Sequence, residues 1–295
     1  MSTSFETFWP QKQKLIEERL QQVIPAADVE PRKLYESVRY SLFADAKRIR
    51  PVFALAVASL FRVDENELLD AACTLEMVHT CSLILDDLPS MDGATLRRGK
   101  AANHLVFGED TAILAALYLL NSAYGTLANY KKALFSPTLA SQFVSILSRA
   151  LSAEGVIGGQ LVDLASKDQK IDLETLEFIH SHKTGALFIA CAEMGTAFAK
   201  ARDAERQAIL NFAKNLGLAF QIRDDILDAT GDPKSIGKDT GKDKGKTTFI
   251  TFCGLEGARK LANELIDAAE QSIRPLRNRA DLLHSFAEYV RHRNR

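Results

Sequence analysis

The chain has 295 residues, of which 46% are hydrophobic and 25% charged, the profile of a globular protein with ample material for a core. Lys and Arg number 37 against 38 for Asp and Glu, so no global charge calls for nucleic acid or an anionic membrane, and any electrostatic function must be local. The length suggests about two domains, yet no Gly/Ser-rich or Pro-rich linker divides the chain, and one domain over residues 1–295 is the better expectation.

Cys73, Cys81, Cys191 and Cys253 are scattered through apolar contexts. They show neither zinc-type pairing nor the density of a disulfide scaffold, and they read as small core residues. No continuous apolar stretch opens the chain, and no later apolar run reaches the roughly 18 residues needed to cross a bilayer. The expectation is a cytoplasmic protein with no membrane span.

Nearly every segment between turn signals carries helical periodicity, and the eight prolines fall mostly where those segments meet. The fold class is therefore all-α. Helices are expected near residues 5 to 22, 32 to 43, 51 to 61, 65 to 86, 109 to 131, 137 to 150, 153 to 166, 172 to 197, 203 to 228, 255 to 273 and 277 to 291.

Between the second and third helices lies DAKRIRP, where Lys47, Arg48 and Arg50 crowd before Pro51, a residue suited to a first helical turn. A helix start flanked by cations can bind an anion. The plainer reading is a solvated basic turn.

The stretch EMVHTCSLILDDLPSMDGATLRRGK runs from Glu76 to Lys100 and joins a helical pattern to three aspartates and two adjacent arginines. Asp86 and Asp87 end the helix, where acids are disfavoured by the helix dipole, so something positive should compensate them. Pro89 cannot extend a regular helix, and a bend there would turn Asp92 back towards Asp86. Clustered oxygen ligands suit Mg²⁺, which takes one or two carboxylates plus phosphate oxygens and water. Arg97 and Arg98 follow, and the planar guanidinium fork grips diphosphate oxygens in pairs.

Further on, the helix from Asp110 is apolar nearly all round and should lie in the core. Gly158 and Gly159, beside Gln160, permit close helix approach. In IHSHKTGALF, His180 and His182 are two apart and face different ways, which argues against a shared zinc. Lys183 and Thr184, placed mid-helix beside Gly185, suggest a kink that brings both to an anion, although a snorkelling lysine explains as much.

The second acidic cluster is FQIRDDILDATGD. Asp224 and Asp228 are i and i+4, about 6 Å apart along the axis, and with Asp225 they repel one another unless a cation is bound. Gln221 stands one turn before Asp225. The following GDPKSIGKDTGKDKGKTTFI reads as a loop whose Lys238 and Lys246 could close over an anionic substrate. The arginines that finish the chain read as helix caps.

Two aspartate clusters on separate helices, several cationic patches and an apolar helical interior fit a ligand with a diphosphate head and a hydrocarbon tail. Over essentially its whole length the sequence resembles the trans-prenyl diphosphate synthases, or polyprenyl synthetases: DDLPSMD resembles their first aspartate-rich motif, DDILD their second, and the KT pair lies between. The resemblance implies an orthogonal helical bundle around a central cavity, of the isoprenoid synthase type, and a homodimer. It implies Mg²⁺, three ions in all, held by Asp86, Asp92 and Asp224 with Asp87, Asp225 and Asp228 as supporting ligands.

By motif position, Lys47, Arg50, His79 and Arg98 would hold isopentenyl diphosphate. Arg97, Lys183, Thr184, Gln221, Lys238 and Lys246 would hold the allylic diphosphate, whether dimethylallyl, geranyl or farnesyl. The implied reaction ionises the allylic diphosphate, adds the isopentenyl double bond and loses a proton. Cys81 and Ser82, one turn before Asp86, are small where similar farnesyl diphosphate synthases carry an aromatic, and this favours a C20 product, geranylgeranyl diphosphate, over C15.

Three features depart from the family pattern. Asp45 and Ala46 replace two glycines before the basic motif, Gly93 stands where an acid is common, and Ala116-Leu117 replaces Gly-Asp. A terpene cyclase or head-to-head enzyme has no use for Lys47, Arg50, His79 and Arg98. A catalytically silent regulatory subunit of a prenyl synthase should have lost an aspartate cluster, and a ligand-free helical scaffold needs none.

Overall fold

A computed structural model describes residues 4–130, 137–230 and 247–293. The described residues are helical apart from turns and one two-stranded ribbon, so the chain is all-α. It divides into two compact units, one built from residues 4–55, 64–130 and 137–144 and the other from 56–63, 145–230 and 247–293.

In the first unit the helices are α1 (Phe5–Val23), α2 (Arg32–Leu42), the first part of α3 (Ile49–Ser59), α4 (Leu69–Asp86), α5 (Asn103–Phe107), α6 (Glu109–Ala128) and the start of α7 (Pro137–Leu151). A 3₁₀ turn, Glu65–Leu68, leads into α4, with the Asp64 side chain accepting from the Asn66 amide at its start. Helix α4 is buried on nearly every side, including Cys73, Leu75, Met77, Val78 and Cys81, as its lack of a polar face demands. It packs on α1, α2 and α6.

A ribbon of β1 (Leu96–Arg97) and β2 (Lys100–Ala101) was not expected from the sequence. Its two-residue turn places Arg98 at φ 52° and Gly99 at φ 73°. Such turns match strand twist, but they favour Asn or Gly at both positions, so an arginine here is an unusual choice.

The second unit holds α8 (Val156–Ala165), α9 (Leu173–His180), α10 (Ala186–Phe198), α11 (Asp203–Thr230), α12 (Phe249–Ile273) and α13 (Asp281–His292). The single helix expected near 172 to 197 is interrupted by a π-helical turn, Ser181–Gly185, at the place where a kink was expected, with α9 and α10 on either side. The structural reason is close packing: a Cβ at Gly159 would lie 2.4 Å from the Lys183 amide nitrogen. Helix α12 begins earlier than expected, with a reciprocal cap between Thr248 and Thr251, and it bends at Gly254, where φ is 73°. A 3₁₀ segment, Arg274–Ala280, precedes α13. The core here joins Leu176, Ile222, Ile226, Phe249, Ala258 and Ala262.

Two expectations need correction. Cys253 is exposed, whereas Cys73, Cys81 and Cys191 are buried. Two segments, Glu65–Asp86 and Glu109–Ala128, do reach the length and hydropathy of a membrane span. The first is accounted for by burial, 67% of its apolar window lying inside the protein, but the second is only 39% buried. The expectation of a core helix after Asp110 therefore holds for one face only: Ile113, Leu114 and Leu117 are exposed.

Candidate active site

In the first unit the end of α4 turns as its sequence suggested. The Leu88 carbonyl accepts from the Met91 and Gly93 amides, and the Asp92 amide donates to the Asp86 carbonyl at 2.9 Å. Pro89 stops the helix, and Asp92 comes back beside Asp86. The cation expected to offset this acidic helix end is Arg97. Its Nη2 lies 2.5 Å and its Nε 3.0 Å from Asp87 Oδ1, and Asp87 is buried. Burial works against the Arg97 charge, but the bonds to Asp87 and the nearby Asp86 and Asp92 outweigh it, so its pKa is raised.

The basic turn of DAKRIRP lies behind this acidic end and is clamped by α1. Trp9 Nε1 donates to the Lys47 carbonyl at 3.1 Å and Gln13 Nε2 to the Ala46 carbonyl at 2.9 Å, so side chains from α1 fix the turn whose usual glycines are replaced. The arginines divide into two kinds. Arg48 is fully buried and held by Glu17 and Glu76 at 2.6 and 2.7 Å, a structural ion pair. Arg50 is buried, and its charge, with those of Arg98, Arg97 and Arg48, adds to burial in holding the half-buried His79 well below its ordinary pKa. His79 is therefore neutral at pH 7, and these cations surround it.

A cavity of about 20 Å³, lined among others by Thr80, Asp87, Arg97, Arg98 and Lys100, opens beside the ribbon. Cys81 lies buried on α4, its thiol pushed up to about 12 by burial and then by the charge of Asp86. Ser82 Oγ donates to the His79 carbonyl at 2.8 Å. Small side chains thus occupy the turn of α4 below Asp86.

In the second unit a larger cavity, about 120 Å³, is lined by Asp163, His180, Lys183, Gln221, Asp225 and Asp228, among others. The lining stripe on α11 is Gln221, Asp225, Asp228, at i, i+4 and i+7. Asp224 lies one position around the helix, and Arg293 Nη1 meets its Oδ1 at 2.7 Å while stacking its guanidinium on Phe220. Lys183 Nζ pairs with Asp163 Oδ2 at 2.8 Å. Thr184 Oγ1 donates to Gln221 Oε1 at 2.9 Å, and Gln221 Nε2 donates to Asp225 Oδ1 at 3.0 Å. The Phe249 amide, at the start of α12, reaches the other oxygen of Asp225 at 3.3 Å.

The structure thus gathers Lys47, Arg50, His79, Asp86, Asp87, Asp92, Arg97 and Arg98 in one unit, and Lys183, Thr184, Gln221, Asp224, Asp225 and Asp228 in the other. Lys238 and Lys246 lie outside the described residues. Sequence reasoning missed Glu76, Asp163 and Arg293 as partners of these groups. The available signal was a lone acid in an apolar helical run, for Glu76 and Asp163; for Arg293 there was none beyond its charge.

The donor set fits Mg²⁺. Among the described residues no three His, Cys, Asp or Glu groups form a ready-made cage; the oxygens come in smaller sets, and Mg²⁺ that keeps water and takes phosphate oxygens needs only one or two carboxylates per ion.

Acidic clusters on two helices, with cations close by and polar cavities beside them, fit an all-α enzyme that handles diphosphates. A model of the polyprenyl synthetase family matches residues 31–281. The chain belongs to the polyprenyl synthetase family and is a prenyltransferase. It is 39% identical to a geranylgeranyl diphosphate synthase of Cyanophora paradoxa, over 100% of this chain and 99% of that one. Among solved structures, an FPP/GFPP synthase from Zymomonas mobilis is 33% identical with a TM-score of 0.88, covering 98% of this chain and 99% of that one. A geranyltransferase from Helicobacter pylori, complexed with magnesium and isoprenyl diphosphate, is 30% identical with a TM-score of 0.87, over 98% of this chain and 97% of that one.

Proposed function

We propose that the chain joins isopentenyl diphosphate head-to-tail to an allylic diphosphate and releases geranylgeranyl diphosphate as its main product. Lys47, Arg50, His79 and Arg98 would hold the isopentenyl diphosphate, and Arg97, Lys183, Thr184, Gln221, Lys238 and Lys246 the allylic diphosphate. Asp86, Asp92 and Asp224 would ligate Mg²⁺, three ions per active site, with Asp87, Asp225 and Asp228 in support. When bound, Mg²⁺ supplies the positive charge that stabilises a departing diphosphate.

The chain's own residues do the rest. Fixed cations that need no reorganisation stabilise charge on the leaving oxygens far better than water does. Arg97, preset by Asp87, is such a group. The Gln221 amide is oriented from both ends, by Thr184 and by Asp225. Neutral His79 can donate one hydrogen bond without adding a charge among the arginines. The proton lost at the end goes to the released diphosphate.

The observation that carries the C20 product is the small, buried Cys81 one turn from Asp86, with Ser82 next to it. A tail running back along α4 meets no Phe, Tyr or Trp of that helix. Farnesyl diphosphate is the alternative, with the floor supplied by another side chain. The exposed apolar stripe Ile113, Leu114 and Leu117 on α6 favours a homodimer formed across a two-fold axis, and we take residues 1–295 as one functional domain. Product analysis with purified protein, Mg²⁺, isopentenyl diphosphate and each allylic primer tests the reading. A C20 product is expected. Chains that stop at C15 would overturn the assignment, and no turnover with any primer would favour the silent-subunit reading.

A further inference from the structure

In the first unit the buried Glu76 touches two arginines that differ in kind. Its Oε1 accepts from Arg48 Nη1 at 2.7 Å and from Arg98 Nη2 at 3.4 Å, with its own side chain 2% exposed. Arg48 has nothing to offer a ligand: its side chain has no exposed surface, and its other donors go to Glu17 at 2.6 Å and the Leu42 carbonyl at 2.5 Å. Arg98 is the opposite. It sits at the tip of the ribbon in a left-handed backbone conformation, keeps some exposure, and makes only long contacts, to Glu76 and, at 3.5 Å, to the Ser41 carbonyl.

Both carbonyls, Ser41 and Leu42, lie at the C-terminal end of α2, where helix carbonyls carry partial negative charge. Glu76 and that helix end are therefore the counter-charges in a corner that also contains Arg50. Burial disfavours the charge on Arg98 most, Glu76 opposes that loss, and the neighbouring Arg48, Arg50 and Arg97 add to it. A left-handed arginine is strained and persists where the surroundings over-determine it. Arg48 fixes Glu76, and Glu76 in turn fixes the free end of Arg98.

We propose that Glu76 is a positioning residue for isopentenyl diphosphate, holding the Arg98 guanidinium at the angle from which it meets the diphosphate while never touching the substrate itself. This rests on the reading of Arg98 given above. The competing role is purely structural, with Glu76 serving Arg48 alone.

The test is steady-state kinetics and thermal melting on the full chain, for Glu76→Gln, Arg98→Gln and the double variant. Glu76→Gln should raise the KM for isopentenyl diphosphate about tenfold, the scale of one weakened charge-assisted hydrogen bond, while the allylic KM changes less than about twofold and kcat at saturation less than about threefold. If Glu76 acts through Arg98, the double variant should have the same isopentenyl diphosphate KM as Arg98→Gln alone, within about twofold. A lowered melting temperature with both KM values unchanged, or fully multiplicative effects in the double variant, would overturn the proposal. Should Glu76→Gln fail to fold, Glu76→Asp carries the test, because it keeps the charge and retracts it by one methylene. About a threefold rise confined to isopentenyl diphosphate is then expected, and an unchanged value would be contrary. If Arg98→Gln leaves isopentenyl diphosphate binding intact, the assignment of Arg98 itself fails. If only the Glu76 variants are silent, that assignment stands and the positioning role falls.

Discussion

The two acidic clusters solve the same electrostatic problem in different ways. At the end of α4, acids sit where the helix dipole opposes them, and the compensation is local in sequence: Asp87 is neutralised by Arg97, ten residues on, at the ribbon. On α11 the acids lie within the helix, and apart from Gln221, one turn before Asp225, their partners come from far along the chain: Arg293 at Asp224 and the Phe249 amide at Asp225. Near-sequence compensation can be buried and rigid, because a short turn fixes it. Remote compensation depends on helices α12 and α13 being in place, and so reports on how the second unit is assembled.

That contrast is broken most strongly by removing the proposed metal ligands. Asp86→Ala or Asp224→Ala should each lower turnover by at least about 100-fold, the usual scale for a group that stabilises charge in the transition state, with the helical circular dichroism unchanged. Residual activity above one hundredth of wild type in either variant would remove that residue from the metal site. Asp87→Ala sharpens the contrast, because it should cost stability as well as activity. It strands Arg97 beside a buried helix end, and the loss should be about 3 kcal/mol in chemical unfolding, at the low end for a broken buried pair since Arg97 keeps some contact with water. Asp224→Ala should cost less, about 1 to 2 kcal/mol, because Asp224 keeps more contact with water than Asp87 does and Arg293 retains its stacking on Phe220. Equal losses would show that near and remote compensation are equivalent.

Cys81→Tyr acts on product rather than rate. An aromatic one turn below Asp86 should shorten the main product from C20 to C15, read by chromatography of the dephosphorylated prenols. If the variant still makes C20, the floor of the tail pocket lies elsewhere.

How much of this was legible depends on the range of the interaction. Helices were readable because periodicity and proline spacing are local, and the bend at Pro89 and the helix interruption around Lys183 followed from the same kind of local signal. The ribbon was not, since a two-residue strand has no periodicity and Arg98 is a poor turn former. The early start of α12 was hidden in the Gly- and Lys-rich run preceding it. Residue types at the clusters were readable from charge spacing. Their partners Glu76, Asp163 and Arg293 were not, because one sequence does not show which distant charge a given acid or base will meet.

The smallest expected effect concerns His79. Burial comes first among the causes, followed by the charges of Arg50, Arg98, Arg97 and Arg48, and together they hold its pKa in the folded protein well below the ordinary value. The unfolded chain has no such environment and binds a proton at about pH 6.5. As pH falls through that value the unfolded state takes up a proton and the folded state does not, so His79 contributes stability that is present above about pH 6.5 and lost as pH falls towards the folded pKa. One proton limits the slope to about 1.4 kcal/mol per pH unit. Urea unfolding at about pH 7.5 and 5.5 should therefore show wild type losing more stability than His79→Gln across the interval, because glutamine keeps a polar side chain and cannot take up a proton. Equal losses in the two proteins would mean that His79 is protonated in the fold and carries a positive charge among the arginines, contrary to the neutral role assigned to it.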